Sequence, residues 1–240
     1  MVSDALSFLF AALAIAVAPL PVRTTLSSPL VQRPSLLREV VDGWRAIADL
    51  PVVQALVWLS VLINVTSFIG PLLPALVSQR LQGGAAAYGT LEAMGIIGAI
   101  AGGALAGLLE RHLGAGRLLA AGWGCAGICT VGMAASTSLP LTAALEATLA
   151  FGLTVGGVSS VALTQALSPE NYRGRVAGIT AGFGVIAIPL SALTGGWLAD
   201  MLGAAPLFAV GGAWTLSVAG LAWSNPHIRT ARIYDGEGVD

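Results

Sequence analysis

The chain has 240 residues, of which 56% are hydrophobic and only 10% charged, and its mean hydropathy is +0.85. Soluble globular chains carry about 25% charged residues, so a water-soluble fold is excluded. The net charge is −1 and all 11 basic residues are arginine, which leaves no basic patch for nucleic acid. At about 20 residues per span the length admits at most about seven or eight transmembrane helices. Long runs of Ala, Leu, Val and Ile favour helices over a barrel, so an all-α polytopic membrane protein is predicted.

The first apolar run, 5–21, reads as a membrane span. Ala16-Val17-Ala18 imitates a signal-peptide cleavage site, but Asp4 stands where a positive charge is needed and Pro19 follows the would-be cut. In the polar stretch that follows, Leu36, Leu37, Val40, Val41, Trp44 and Ile47 recur at helical spacing opposite Arg38, Glu39, Asp42, Arg45 and Asp49. This pattern predicts an amphipathic helix on the membrane surface, closed by Pro51. Six more spans are predicted at 52–77, 87–109, 117–136, 140–166, 176–199 and 205–224. The expected organisation is a first helix in 1–22, a cytoplasmic linker in 23–51, a six-helix bundle in 52–224 and a disordered cytoplasmic tail in 225–240.

Arginine placement orients these seven spans. Arg23, Arg33, Arg38, Arg45, Arg111, Arg117, Arg173, Arg175, Arg229 and Arg232 fall in alternate connections, and Arg80 alone lies opposite. The positive-inside rule then puts the C-terminus in the cytoplasm and the N-terminus outside, in a multi-pass protein of the cell membrane. A weak repeat relates Gly102-Gly103-Ala104-Leu105-Ala106, continuing to Leu113-Gly114-Ala115, with Gly195-Gly196-Trp197-Leu198-Ala199, continuing to Leu202-Gly203-Ala204. The two copies end on opposite sides, so the bundle reads as two inverted three-helix repeats, an arrangement common in secondary transporters.

Several stretches resemble the carboxy-terminal half of a major facilitator superfamily transporter, most like its macrolide and siderophore exporter branch. Gly103-x-x-x-Gly107-x-x-Glu110-Arg111-x-x-Gly114-x-x-Arg117 is similar to the family's cytoplasmic-loop motif, with Glu110 where Asp is commoner. Pro169-Glu170-x-x-Arg173-Gly174-Arg175-Val176 resembles the loop between helices ten and eleven, and Gly184, Pro189, Gly195, Asp200, Gly203 and Phe208 match the pattern from helix eleven into twelve. Residues 4–9 resemble the sixth helix, and Gly43-Trp44-Arg45 with Pro51 the linker into the seventh. The resemblance implies that Glu110, Arg111, Arg117, Arg173 and Arg175 latch a cytoplasmic gate. It also implies that five helices of the family pattern are missing. The expected function is therefore proton-coupled efflux of small amphipathic compounds by a half-size or truncated chain, working as a homodimer or with a complementary amino-terminal half. The alternative is a non-transporting fragment or a partner subunit of another transporter.

Among ionisable residues only Glu92 and Glu146 lie well inside spans, each about two turns from the outer end. A carboxylate facing lipid costs several kcal/mol, so each is expected to face the bundle interior, where it can carry a proton or hold a cationic substrate. Asp200 at an outer helix end reads as a cap. Gly98-x-x-x-Gly102, Gly103-x-x-x-Gly107, Gly152-x-x-x-Gly156 and Gly178-x-x-x-Gly182 predict close helix approach. Pro71, Pro74 and Pro189 predict kinks, while Asn64, Gln54 and Gln165 are weaker cavity candidates. Cys125 and Cys129 have no His or carboxylate beside them and read as small buried side chains, so no metal is expected. Lysine is absent, so there is no P-loop, and no nucleophile and base can be assembled into an enzyme or cofactor site.

Overall fold

A computed structural model describes residues 50–170 and 172–231, without the side chains of Arg175 and residues 183–187. The first predicted span, the surface helix of 34–49 and the tail from 232 lie outside the described residues. Within them the chain forms α1 (Pro51–Asn64), α2 (Ile69–Arg80), α3 (Ala85–Leu113), α4 (Ala115–Ala135), α5 (Leu139–Leu167), α6 (Arg173–Leu202), α7 (Ala204–Ser224) and the single turn α8 (Pro226–Arg229). Five segments among the described residues are long and apolar enough to cross a membrane: Pro51–Arg80, Ala85–Leu113, Ala115–Ala135, Leu139–Leu167 and Ala204–Ser224. They coincide with predicted spans, and α6 coincides with the remaining one.

Glycine determines which helices sit deepest. On α4, 12 of 21 residues are buried, because it packs closely on both α5 and α7. A Cβ on Gly122 would lie 2.6 Å from the Gly152 carbonyl oxygen of α5, and one on Gly127 would lie 2.9 Å from that of Gly212 on α7. Trp123, 3% exposed, fills the space beside Gly156. On α3 a single stripe is buried, Leu91, Gly98, Gly102 and Ala106, and Gly98 and Gly102 meet the backbone of Ala147 and Phe151 on α5. Two of the four predicted glycine motifs thus form helix seams. The other two do not. A Cβ on Gly107, Gly178 or Gly182 would meet nothing within 4 Å, and one on Gly103 would only graze Thr154. Small spacing permits close approach, but only a facing helix makes a seam of it.

The helices outrun their apolar cores, so two predicted loops vanish. Glu110 and Arg111 belong to the last turn of α3 and Arg117 to the first turn of α4, with Gly114 alone between them. Likewise Gly203 alone joins α6 to α7. The two glycines share one conformation, φ 80° and ψ 147° at Gly114 and φ 83° and ψ 166° at Gly203, in a region that side chains rarely adopt. Each joint leaves helix amides to be satisfied from elsewhere. The Gly116 N–H donates to the Ala231 carbonyl at 3.2 Å. The Ala204 N–H donates to Oε1 of Gln79 at 3.1 Å. Asp200 is exposed in the last turn of α6, where free groups are carbonyls, so Gln79 rather than the predicted Asp200 serves this helix start.

The predicted span 52–77 is two helices. Between them Val65, Thr66, Ser67 and Ile69 donate to carbonyls three residues back, at 3.1–3.3 Å. Polar side chains hold the same stretch, with Asn64 Nδ2 donating to the Ser60 carbonyl at 2.7 Å and Thr66 Oγ1 to the Ile63 carbonyl at 2.8 Å. Pro71 and Pro74 have no N–H, so the Ser67 and Gly70 carbonyls have no α-helical donor. Neighbouring helices close the break. On α6 the Ser191 hydroxyl donates to the Val65 carbonyl at 2.7 Å and accepts from the Phe68 N–H at 3.0 Å. On α7 the Trp214 indole donates to the Leu62 carbonyl at 2.8 Å.

The predicted disordered tail is, in its first part, a docked element. Asn225 Oδ1 accepts from the His227 N–H at 3.0 Å and starts α8. Ile228, 1% exposed, packs with Ala115, Leu119 and Ala222. A buried isoleucine, a capping asparagine and the Gly116–Ala231 hydrogen bond tie down residues that composition marks as polar.

Candidate functional site

The break between α1 and α2 opens on a cavity of about 500 Å³. Ile63, Asn64, Thr66, Ser67 and Gly70 form one wall, Trp123 and Thr130 of α4 the floor, and Glu146, Leu153 and Thr154 of α5 the facing wall. Among the described residues Glu146 is the only ionisable one in that lining. It sits seven residues into α5, about 10 Å along the helix at 1.5 Å per residue. Space for it comes from α3. A Cβ on Gly95 would lie 3.1 Å from Glu146 Oε1, so the glycine makes room for the carboxylate between the two helices.

Glu92 lies at the same depth on α3 but is exposed, and it stands within electrostatic reach of Glu146. Tyr88, one turn earlier, lies beside Glu92. The two predicted carboxylates therefore form a neighbouring pair, with one in the cavity and one at its edge.

A second cavity of about 370 Å³ lies toward the arginine-rich end and is lined by Ser60, Ser160, Thr164, Gln165, Thr180 and Arg173, among others. Ser60 Oγ and Ser160 Oγ, 3.3 Å apart, hydrogen-bond to each other in its lining. Asn64 lines both cavities. The sequence candidates Asn64 and Gln165 are thus cavity residues, while Gln54 lines neither. Arg173 is tied to its own loop, its Nε donating to the Ser168 carbonyl at 3.2 Å and its guanidinium 3.8 Å from Glu170.

The predicted gate residues are dispersed. Glu110 and Arg111 end α3, and Arg117 turns to the tail, lining a cleft with Arg229. Arg173 starts α6, and the Arg175 side chain is outside the described residues. Among the described residues no hydrogen bond or ion pair links Arg111 or Arg117 to Arg173. Gly103 and Gly107 are exposed on α3, and Gly114 is the α3–α4 joint. Cys129 is buried and Cys125 half-buried in the packing of α4.

Residue-by-residue reading of the sequence overlooked Thr66, Ser67, Thr130, Ser191 and Trp214. A signal was present for Ser67: it and Gly70 each precede a proline by four, which marks two carbonyls without an α-helical donor three residues apart on one helix face.

The family profile described as Major Facilitator Superfamily matches residues 3–192. That match includes the stretches Gly103–Arg117 and Pro169–Val176 and ends before Gly195. No curated protein and no solved structure matches the chain.

Proposed function

The chain belongs to the major facilitator superfamily, and we propose that its bundle is the carboxy-terminal half of an exporter of small amphipathic compounds, with Glu146 as the ionisable group of the substrate path. Members of this family are membrane transporters and not enzymes. The exporter reading is supported chiefly by one observation: among the described residues a single carboxylate lines an otherwise uncharged cavity of about 500 Å³ at a helix break. An apolar wall with Trp123 and Phe208 suits the body of an amphipathic molecule. A carboxylate there exchanges a proton for a cationic group, which links efflux to proton entry.

The cavity is unfinished on one side. Leu153 and Gly70 belong to its lining yet are exposed, so a facing bundle, either a second copy or a complementary amino-terminal half, would complete it. The dispersed Glu110, Arg111 and Arg173 would then meet their gate partners across that interface. The C-terminus faces the cytoplasm in this arrangement, as the arginine bias requires.

Everted vesicles carrying the chain, alone and together with a separately expressed amino-terminal half, test this. A pH gradient should drive uptake of a lipophilic amine, and Glu146→Gln should abolish the gradient dependence while leaving membrane insertion intact. Gradient-driven uptake that persists in the Gln variant would remove Glu146 from coupling. No uptake with either partner would support a non-transporting membrane component instead.

A further inference from the structure

A small cleft of about 120 Å³ lies where the α3–α4 joint meets the docked tail, lined by Leu113, Gly114, Arg117, Arg229, Thr230 and Ala231. We propose that it binds the phosphate of an anionic phospholipid. A water occupies about 30 Å³ in the liquid, so the cleft has room for a tetrahedral oxyanion and little more.

Two arginines line the cleft from different elements, Arg117 from the first turn of α4 and Arg229 from α8. The one ion pair among the described residues joins Arg173 to Glu170, so neither arginine is neutralised by a carboxylate there. Glu110, the only acidic residue in the last two turns of α3, is outnumbered by Arg111, Arg117 and Arg229. Paired guanidiniums with free N–H forks match phosphate oxygens in charge and geometry. The helix end itself is not the attraction, because the Gly116 amide of α4 is already taken by the Ala231 carbonyl.

Arg229 is held in position rather than free in solvent. Its guanidinium carbon lies 6.0 Å from the centroid of the Trp223 ring, a cation–π distance. Its neighbour Ile228 is buried against α4.

The surroundings favour a lipid over a soluble anion. Leu113 lines the cleft and is 43% exposed, and Trp223 at the same end of α7 is 48% exposed. Leu221 is exposed just before it. Large apolar side chains on membrane-spanning segments, ending in a tryptophan and two arginines, reproduce the polarity profile of acyl chain, interface and headgroup. A phosphate in the cleft would leave an acyl chain along the exposed Leu113.

The full chain purified in detergent tests this without any transport assay. Phosphatidylglycerol should raise the thermal midpoint and survive in native mass spectra, whereas phosphatidylcholine should do neither. Arg117→Gln with Arg229→Gln should weaken phosphatidylglycerol retention about tenfold, since each arginine near an anionic headgroup contributes substantially to attraction. Arg80→Gln, at the opposite end of the bundle, should leave retention unchanged. Equal stabilisation by phosphatidylcholine, or undiminished retention in the double variant, would overturn the proposal. A full shift with inorganic phosphate alone would overturn the lipid assignment in favour of a soluble anion.

Discussion

The row α3–α5–α4–α7 and the sector α1–α2–α6 are held together by different chemistry. In the row, glycines let backbones touch: Gly98 on Ala147, Gly122 on Gly152, Gly127 on Gly212. In the sector the described buried residues of α6 are few, Val176, Ile179, Ser191 and Gly195, and its best-defined contact is a serine hydroxyl set into a helix break. Backbone-to-backbone seams have one geometry because any displacement opens a void. A hydroxyl that both donates and accepts tolerates sliding far better. The cavity with Glu146 lies between the two, with α4 and α5 as its fixed floor and wall and the α1–α2 break as its adjustable edge. A transporter that alternates its access needs such a division between what stays and what moves.

The largest difference is expected when the same side chain is put into both regions. Gly98→Leu drives a side chain into the Ala147 backbone and should cost more than the 1–3 kcal/mol typical of overpacking, because a backbone cannot rotate away. Gly178→Leu on α6, where a Cβ meets nothing, should be neutral. Monodispersity and thermal midpoint in detergent read the difference. Equal loss from both would mean that α6 is packed as tightly as α3.

This contrast also explains what could be read from sequence. Span positions were legible because hydrophobic length is a property of one segment: the predicted 87–109 became Ala85–Leu113 and 205–224 became Ala204–Ser224. Which glycines pack was not legible, because Gly98 and Gly178 have the same spacing and differ only in what faces them. Glu146 stands out in the sequence because a carboxylate in an apolar run is conspicuous, and it lines the cavity. Ser191 was not, because one serine among many acquires its role from a break 126 residues away. The first part of the tail, residues 225–231, differs from the expectation for a similar reason. Ile228 is one apolar residue in a polar stretch, and only the Gly116 surface gives it a place to dock.

The two single-glycine joints carry a smaller effect. Gly114→Ala and Gly203→Ala place a side chain at φ 80° and φ 83° with ψ near extended, a conformation costing about 1–3 kcal/mol for a non-glycine residue. Both variants should lower the thermal midpoint by similar amounts if the joints are equivalent, as their matching sequence context implies. A loss at Gly114 alone would set that joint apart from Gly203, since the docked tail bonds to the start of the helix that follows it.

The smallest effect tests the adjustable edge itself. Ser191→Ala leaves the Val65 carbonyl and the Phe68 amide without their common partner, at a net cost of about 1 kcal/mol for the lost hydrogen bonding. That penalty falls on a local opening rather than on the seams of α4, so global unfolding should shift little. Reactivity should shift more. With Cys125 and Cys129 replaced by alanine and Ser67→Cys introduced at the break, a membrane-impermeant maleimide should label the Ser191→Ala protein faster. Ser191→Thr, which keeps the hydroxyl, should restore the slow rate. Because Ser67 lines the same cavity as Glu146, faster labelling would mean that one hydroxyl on α6 governs how open that cavity is. An unchanged rate would assign that control to Trp214 and its bond to the Leu62 carbonyl, and Trp214→Phe would then carry the effect.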